Sequence, residues 1–152
     1  MSTILNLYES QVYDTIKERI NALDSSSQPS WGSMSVAMMF AHCNEVMLVY
    51  TGERELKVNF IARLFKGMIR KVVFGPEPYK KNSATVPQFK VTDEKDFDTQ
   101  KQILLDTIDR FFGMSIEEAQ KIEHPLFGQM KRDEVGWAMY KHLNHHLKQF
   151  NV

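Results

Sequence analysis

Three of the five histidines in this 152-residue chain fall in one short segment, Lys141-His142-Leu143-Asn144-His145-His146-Leu147-Lys148-Gln149. On a helix turning about 100° per residue, positions 142 and 146 lie roughly 40° apart, one turn above each other. Two imidazoles so placed can reach one metal ion from a rigid face, as in other helical His-x-x-x-His sites. His145 lies about 60° to the other side of His142 and could stand in for His146. Gln149 falls almost on the line of His142 and is a candidate outer partner for a ligand. Two helical histidines do not complete a site, and the chain offers only His42 and His124 as further histidines.

His42 belongs to an apolar stripe with Met38, Val46 and Val49. An imidazole facing the core needs a partner, and a metal shared with the C-terminal histidines would supply one. His124 precedes Pro125 in a connection and is less well placed. Three neutral imidazoles around a divalent ion leave room for water or a substrate anion, the pattern of a catalytic metal. Plainer readings compete: a hydrogen-bonded core histidine, a pair complementing a helix C-terminal dipole, or a solvated histidine face. Cys43 points about 100° away from His42, so the two form no nucleophile–base dyad, and a buried inert thiol is expected. Glu45 is one helical step from His42, either an acceptor or proton carrier behind it or an ordinary surface glutamate.

The elements that must position these residues read as helices. Leu5, Tyr8, Val12, Ile16, Ile20 and Leu23 mark a first helix, opened by an Asn6/Glu9 capping box and ended by Ser25-Ser26-Ser27-Gln28-Pro29. A second runs from the cap Ser35 to Thr51-Gly52, with Met34 and Met39 as a hydrophobic staple. A third covers about 59–74, with Ile61, Leu64, Phe65, Met68 and Val72 on one side, stopped by Gly75-Pro76 in a left-handed cap. Residues 75–92 carry three prolines and form a long surface loop, longer than helix connections usually are and therefore functional or mobile. A fourth helix spans about Asp93 to Phe112. A short turn follows at 115–121 behind a Ser115/Glu118 capping box, and the last helix runs from about Arg132 to Phe150. Strand-like alternation is missing. The expected fold is a single all-α domain over 1–152, a four-helix bundle with the 59–74 helix inserted at its side.

Composition bounds the function. Nineteen basic and nineteen acidic side chains give no net charge, which disfavours a nucleic-acid or membrane partner. One cysteine excludes an internal disulfide framework and a thiolate-rich zinc site. The Met1-Ser2-Thr3-Ile4 start shows no signal peptide, and no apolar run is long enough to span a bilayer, so a cytoplasmic protein is expected. The neutral total is regional: residues 52–81 carry eight basic and three acidic side chains, and residues 92–120 carry three and eight. Two solvated helix faces are the simple account; a basic surface for an anionic ligand is the sharper one.

Trp31-Gly32-Ser33-Met34-Ser35 leading into Ala41-His42, with His142-Leu143-Asn144-His145-His146-Leu147-Lys148-Gln149, resembles the two halves of the DinB/YfiT-like superfamily motif. His124-Pro125-Leu126-Phe127-Gly128 and Trp137-Ala138-Met139-Tyr140-Lys141-His142 resemble an uncharacterised DinB-like branch. The resemblance covers nearly the whole chain and implies a DinB-type bundle, often a homodimer, with a divalent metal (zinc or nickel) on three histidines. By motif position the ligands would be His42, His142 and His146, with His145 the adjacent non-ligand. Relatives of known activity resemble thiol S-transferases using low-molecular-weight thiols such as bacillithiol, and a mycothiol-dependent isomerase. There a thiol bound at the metal would be a thiolate at neutral pH. Many relatives have Arg-Gly-Gln where this chain has Leu147-Lys148-Gln149, which keeps Gln149 but not the arginine.

The expected function is therefore that of a metal-dependent transferase with a small-molecule substrate or thiol. The alternative is a non-catalytic binding or stress-response module whose metal is structural or absent. The regions of Trp31, Phe74 and Tyr79 are candidate apolar contacts for a dimer.

Overall fold

A computed structural model describes residues 5–152; the first four residues, which enter the expectation of no signal peptide, lie outside the described residues. The chain is mostly helical, with α1 (Ser10–Asn21), α2 (Val36–Tyr50), α3 (Phe60–Leu64), α4 (Lys66–Phe74), α5 (Phe97–Gly113), α6 (Ile116–Gln120) and α7 (Arg132–Gln149). Helix α2 is apolar on nearly every side, from Val36 and Phe40 to Val49 and Tyr50, and such a helix belongs at the centre. It packs on α5 and α7; α1 closes against the same two, and α4 leans on α7. The core between them is filled by Ile16, Ile20, Phe40, Met47, Leu104, Ile108, Phe111, Met139, Leu143 and Leu147.

Local chemistry sets most of the boundaries. Ser35 Oγ accepts the Met38 N–H at 3.2 Å and opens α2. The Ser115/Glu118 capping box opens α6. Helix α5 starts at Phe97 rather than Asp93, because Asp96 is the residue whose carboxylate accepts the Thr99 N–H, at 2.8 Å. The first helix also starts later than its sequence suggests. Asn6 Oδ1 accepts the Tyr8 N–H at 2.9 Å in an Asx turn, and Glu9 caps without a side-chain bond. The Leu7 N–H then donates to the Gly136 carbonyl at 3.1 Å, and a Cβ on Gly136 would collide with the Asn6 side chain.

The 59–74 segment is two helices rather than one. Asn59 caps α3 by accepting the Ala62 N–H at 2.8 Å, and the chain breaks at Phe65 (φ −95°, ψ 15°). Gly75 ends α4 in extended backbone (φ −70°, ψ 161°) and not in the left-handed cap, because the following Pro76 restricts the residue before it. The loop beyond carries one 3-10 turn, Pro87–Phe89, with Phe89 buried. The Gln88 side chain pins that turn to the 55–57 segment, accepting the Lys57 N–H at 3.0 Å and donating to the Glu55 carbonyl at 2.8 Å.

The strands among the described residues are two residues each, β1 (Glu123–His124) and β2 (Gly128–Gln129), paired antiparallel around Pro125, and the mostly helical chain is consistent with the expected all-α class. No helix among the described residues is long and apolar enough to cross a membrane.

Candidate metal centre

His42 stands in the middle of α2, where every turn is packed, and His142 and His146 stand one turn apart on the facing side of α7. One ring nitrogen of each could serve as a ligand, and these three atoms all lie within 4.8 Å of one another. His42 and His146 are buried, and His142 is partly exposed as a residue while its Nδ1 is fully enclosed.

Hydrogen bonding fixes two of the three tautomers. His42 Nδ1 is 2.9 Å from the Phe89 carbonyl, which can only accept, so the proton sits on Nδ1 and Nε2 keeps its lone pair. Gln149 Nε2 donates to the Trp31 carbonyl at 2.8 Å, which turns Oε1 toward His146 Nδ1, 2.9 Å away. That amide oxygen accepts, so His146 Nε2 is bare as well. This is how a metal-ligating histidine is commonly oriented, its far N–H held by a carbonyl.

His142 is different. Its Nε2 is 3.1 Å from His42 Nε2, and its buried Nδ1 has no hydrogen-bond partner. With the proton on Nε2 it donates to His42 and leaves Nδ1 orphaned. With the proton on Nδ1 that N–H is orphaned, and two lone pairs face each other at 3.1 Å. Neither neutral form satisfies the site, and a buried polar group without a partner is costly.

Burial holds all three rings in the acceptor state at neutral pH. It lowers the His42 pKa and pushes His142 well below its usual value, where the neighbouring histidines add to the effect. His146 is pushed down to about 3, mainly by burial.

The rim is aromatic. His145 lies with its ring centroid 5.8 Å from Trp31 and 5.7 Å from Tyr79, and the Tyr79 edge also approaches His142 at 6.3 Å. Burial raises the Tyr79 phenol to about 12, so it is a neutral hydroxyl. Lys141 Nζ sits 4.6 Å over the Tyr79 ring, and Lys81 Nζ 4.6 Å over Trp31.

Other residues singled out in the sequence lie elsewhere. The Glu45 carboxylate takes the Arg54 guanidinium at 2.8 Å and bonds none of the three histidines. Cys43 is buried, its Sγ 3.7 Å from Met39 Sδ, and burial drives its thiol pKa far upward, leaving it inert. His124 is in the β1–β2 hairpin. Trp31 and Tyr79 lie at the rim, and Phe74 packs against Phe127 at 5.2 Å. The Phe89 and Trp31 carbonyls had no signal in the sequence beyond the length of the 75–92 loop and the motif around Trp31.

Residues 8–152, from the approach to α1 through the last residue, match the family described as "Protein of unknown function (DUF1569)", and the chain belongs to that family. No curated protein and no solved structure matches the chain.

Proposed function

We propose that this family member is a divalent-metal-dependent enzyme, with the ion on His42, His142 and His146 and an activity of the thiol S-transferase kind. The bundle would be of DinB type, formed by α1, α2, α5 and α7, with α3 and α4 as the insertion. The observation that carries the reading is the close approach of His42 and His142 Nε2, 3.1 Å apart, while no tautomer of His142 satisfies its surroundings. A donor set of three neutral imidazoles suits zinc or nickel and leaves coordination open. Such an ion would supply Lewis acidity, lowering the pKa of a low-molecular-weight thiol enough to make it a nucleophile at neutral pH.

The chain's own residues have separate tasks in this scheme. The Phe89 carbonyl and Gln149 hold the rings of His42 and His146 with Nε2 inward. Trp31, Tyr79 and His145 form the aromatic wall by which a substrate would enter, and the neutral Tyr79 hydroxyl can donate a hydrogen bond to an anionic group there. Glu45 is given no part, since Arg54 occupies it.

The test is the metal content of the purified full chain beside a His146→Ala variant, with circular dichroism on both. Wild type should carry about one equivalent of zinc or nickel, and the variant should lose it while staying helical. Wild type without stoichiometric metal, even after supplementation, defeats the proposal. Metal-loaded protein is then assayed for thiol conjugation with a panel of electrophiles. A metal-replete chain with no turnover would favour the non-catalytic module.

A further inference from the structure

Helices α3 and α4 carry the most exposed apolar side chains of the described residues. The four highest are Phe60 at 78%, Leu64 at 67%, Ile61 at 64% and Met68 at 62%, and Val72 at 52% and Phe65 at 47% extend them. Their recurrence at three- and four-residue steps makes one stripe, and backbone bonds from Phe65 N–H to the Ile61 carbonyl and from Ile69 N–H to the Phe65 carbonyl carry it across the break. The opposite side of α4 is already committed. Arg70 pairs with Glu134 at 2.7 Å, Lys141 Nζ donates to the Val72 carbonyl at 2.6 Å, and Val73 and Phe74 pack on the core. The stripe is therefore held outward and has no place of its own to fold into.

Charge identifies what fits it. Residues 56–76 contain Lys57, Arg63, Lys66, Arg70 and Lys71 and no acidic side chain. Of these five cations, only Arg70 is in an ion pair with a described residue. Arg63 and Lys66 also line an open cleft of about 400 Å³, shared with Glu123, His124 and Pro125. A second copy placed symmetrically on this face would bring the same unpaired cations against themselves. A partner helix needs a groove, whereas side chains exposed this far stand up as a ridge. An apolar ridge bordered by four unpaired cations, with Glu123 the one acid lining the adjoining cleft, matches the boundary of an anionic bilayer.

We propose that α3 and α4 form a docking surface for anionic lipid membranes. The two helices lie in the interfacial plane, Phe60, Leu64 and Met68 enter below the headgroups, and Lys57, Arg63, Lys66 and Lys71 meet the lipid phosphates and carboxylates. Lying on a membrane and crossing one are different properties, so the lack of a spanning helix has no bearing here. The expectation of no membrane partner came from a neutral total that averages this basic region with the acidic 92–120 region. The surface uses none of the metal-site histidines and stands or falls independently of the function proposed above.

The test is co-sedimentation of the full chain with phosphatidylserine-rich vesicles and with pure phosphatidylcholine vesicles. Binding to the first should be at least about tenfold tighter and should weaken as salt is added. Two double variants at exposed positions, Leu64→Ser with Met68→Ser and Lys66→Glu with Lys71→Glu, should each lose about tenfold or more on the anionic vesicles with unchanged circular dichroism. The idea is overturned if wild type ignores anionic vesicles at low salt, or if both variants bind as wild type does. It is equally overturned if light scattering finds a wild-type dimer that Leu64→Ser with Met68→Ser converts to monomer, since a second copy would then be the occupant.

Discussion

His124 is a buried histidine with a structural role away from the three-histidine cluster. Its ring lies 4.6 Å from Phe127 and 5.2 Å from Tyr50, and its Nδ1 accepts the N–H groups of Leu126 at 3.1 Å and Phe127 at 3.2 Å. That nitrogen closes the turn between β1 and β2, and a proton on it would end both bonds. Burial pushes its pKa down to about 4, from an ordinary value of 6.5. Below the ordinary value the unfolded chain takes up a proton that the native chain refuses. The stabilisation is therefore complete above pH 6.5 and is lost as the pH falls toward 4. The slope is up to ~1.4 kcal/mol per pH unit, which accumulates to roughly 3 kcal/mol. Urea unfolding at a series of pH values checks this: His124→Gln should be less stable at neutral pH, with a decline on acidification shallower by about that slope. Parallel declines in the two proteins would refute the role.

At the scale of elements, one buried lysine secures the C-terminal end of α4. Lys141 is 4% exposed, and its Nζ bonds the Val72 carbonyl at 2.6 Å and the Gly75 carbonyl at 3.0 Å, where the end of a helix leaves acceptors unsatisfied and favours a cation. Trp137 Nε1 shares Gly75 at 3.2 Å, so the Val72 carbonyl depends on Lys141 more. Lys141→Met should cost about 1–3 kcal/mol and should strip hydrogen-exchange protection first from residues 66–75. Protection lost evenly over the chain would count against it. How legible each element was follows from the range of the forces that make it. The Ser35 cap, the Ser115/Glu118 box and the start of α7 at Arg132 are local, and they stand where the sequence puts them. Asp93 and Asp96 are equally competent caps, and only the fold selects Asp96. Periodicity in 60–72 identifies an apolar side but not the direction it faces, which Lys141 and the Arg70–Glu134 pair decide. Helical spacing brought out His142 and His146. Gln149, which orients His146, lies on the same helix and was legible by spacing, whereas the Phe89 and Trp31 carbonyls that orient His42 and Gln149 are backbone atoms of distant segments, which no residue type announces.

Taken as a whole, the molecule joins segments 100 residues apart in the chain at the His42–His142 contact. The core beneath that contact, from Phe40 and Met47 through Leu104 and Phe111 to Leu143, is continuous and needs no ion to close it. Two consequences follow for metal removal, and they point in different directions. Because the core is complete, the chelated protein should keep its helical circular dichroism, unlike small metal-nucleated domains that unfold without their ion. Because an ion would bind only where α2 and α7 are docked, adding it should stabilise the native state by mass action, about 2.7 kcal/mol at a free concentration one hundred times Kd. Thermal unfolding with chelator and then with added zinc or nickel should therefore show a folded protein whose Tm rises with metal. His146→Ala should stay folded with a Tm that metal does not move. A wild-type Tm indifferent to metal would mean that the three rings hold no ion. A chelated chain that loses its helices would assign the ion to the fold, removing the distinction between the core and the site on which the proposed catalytic role depends.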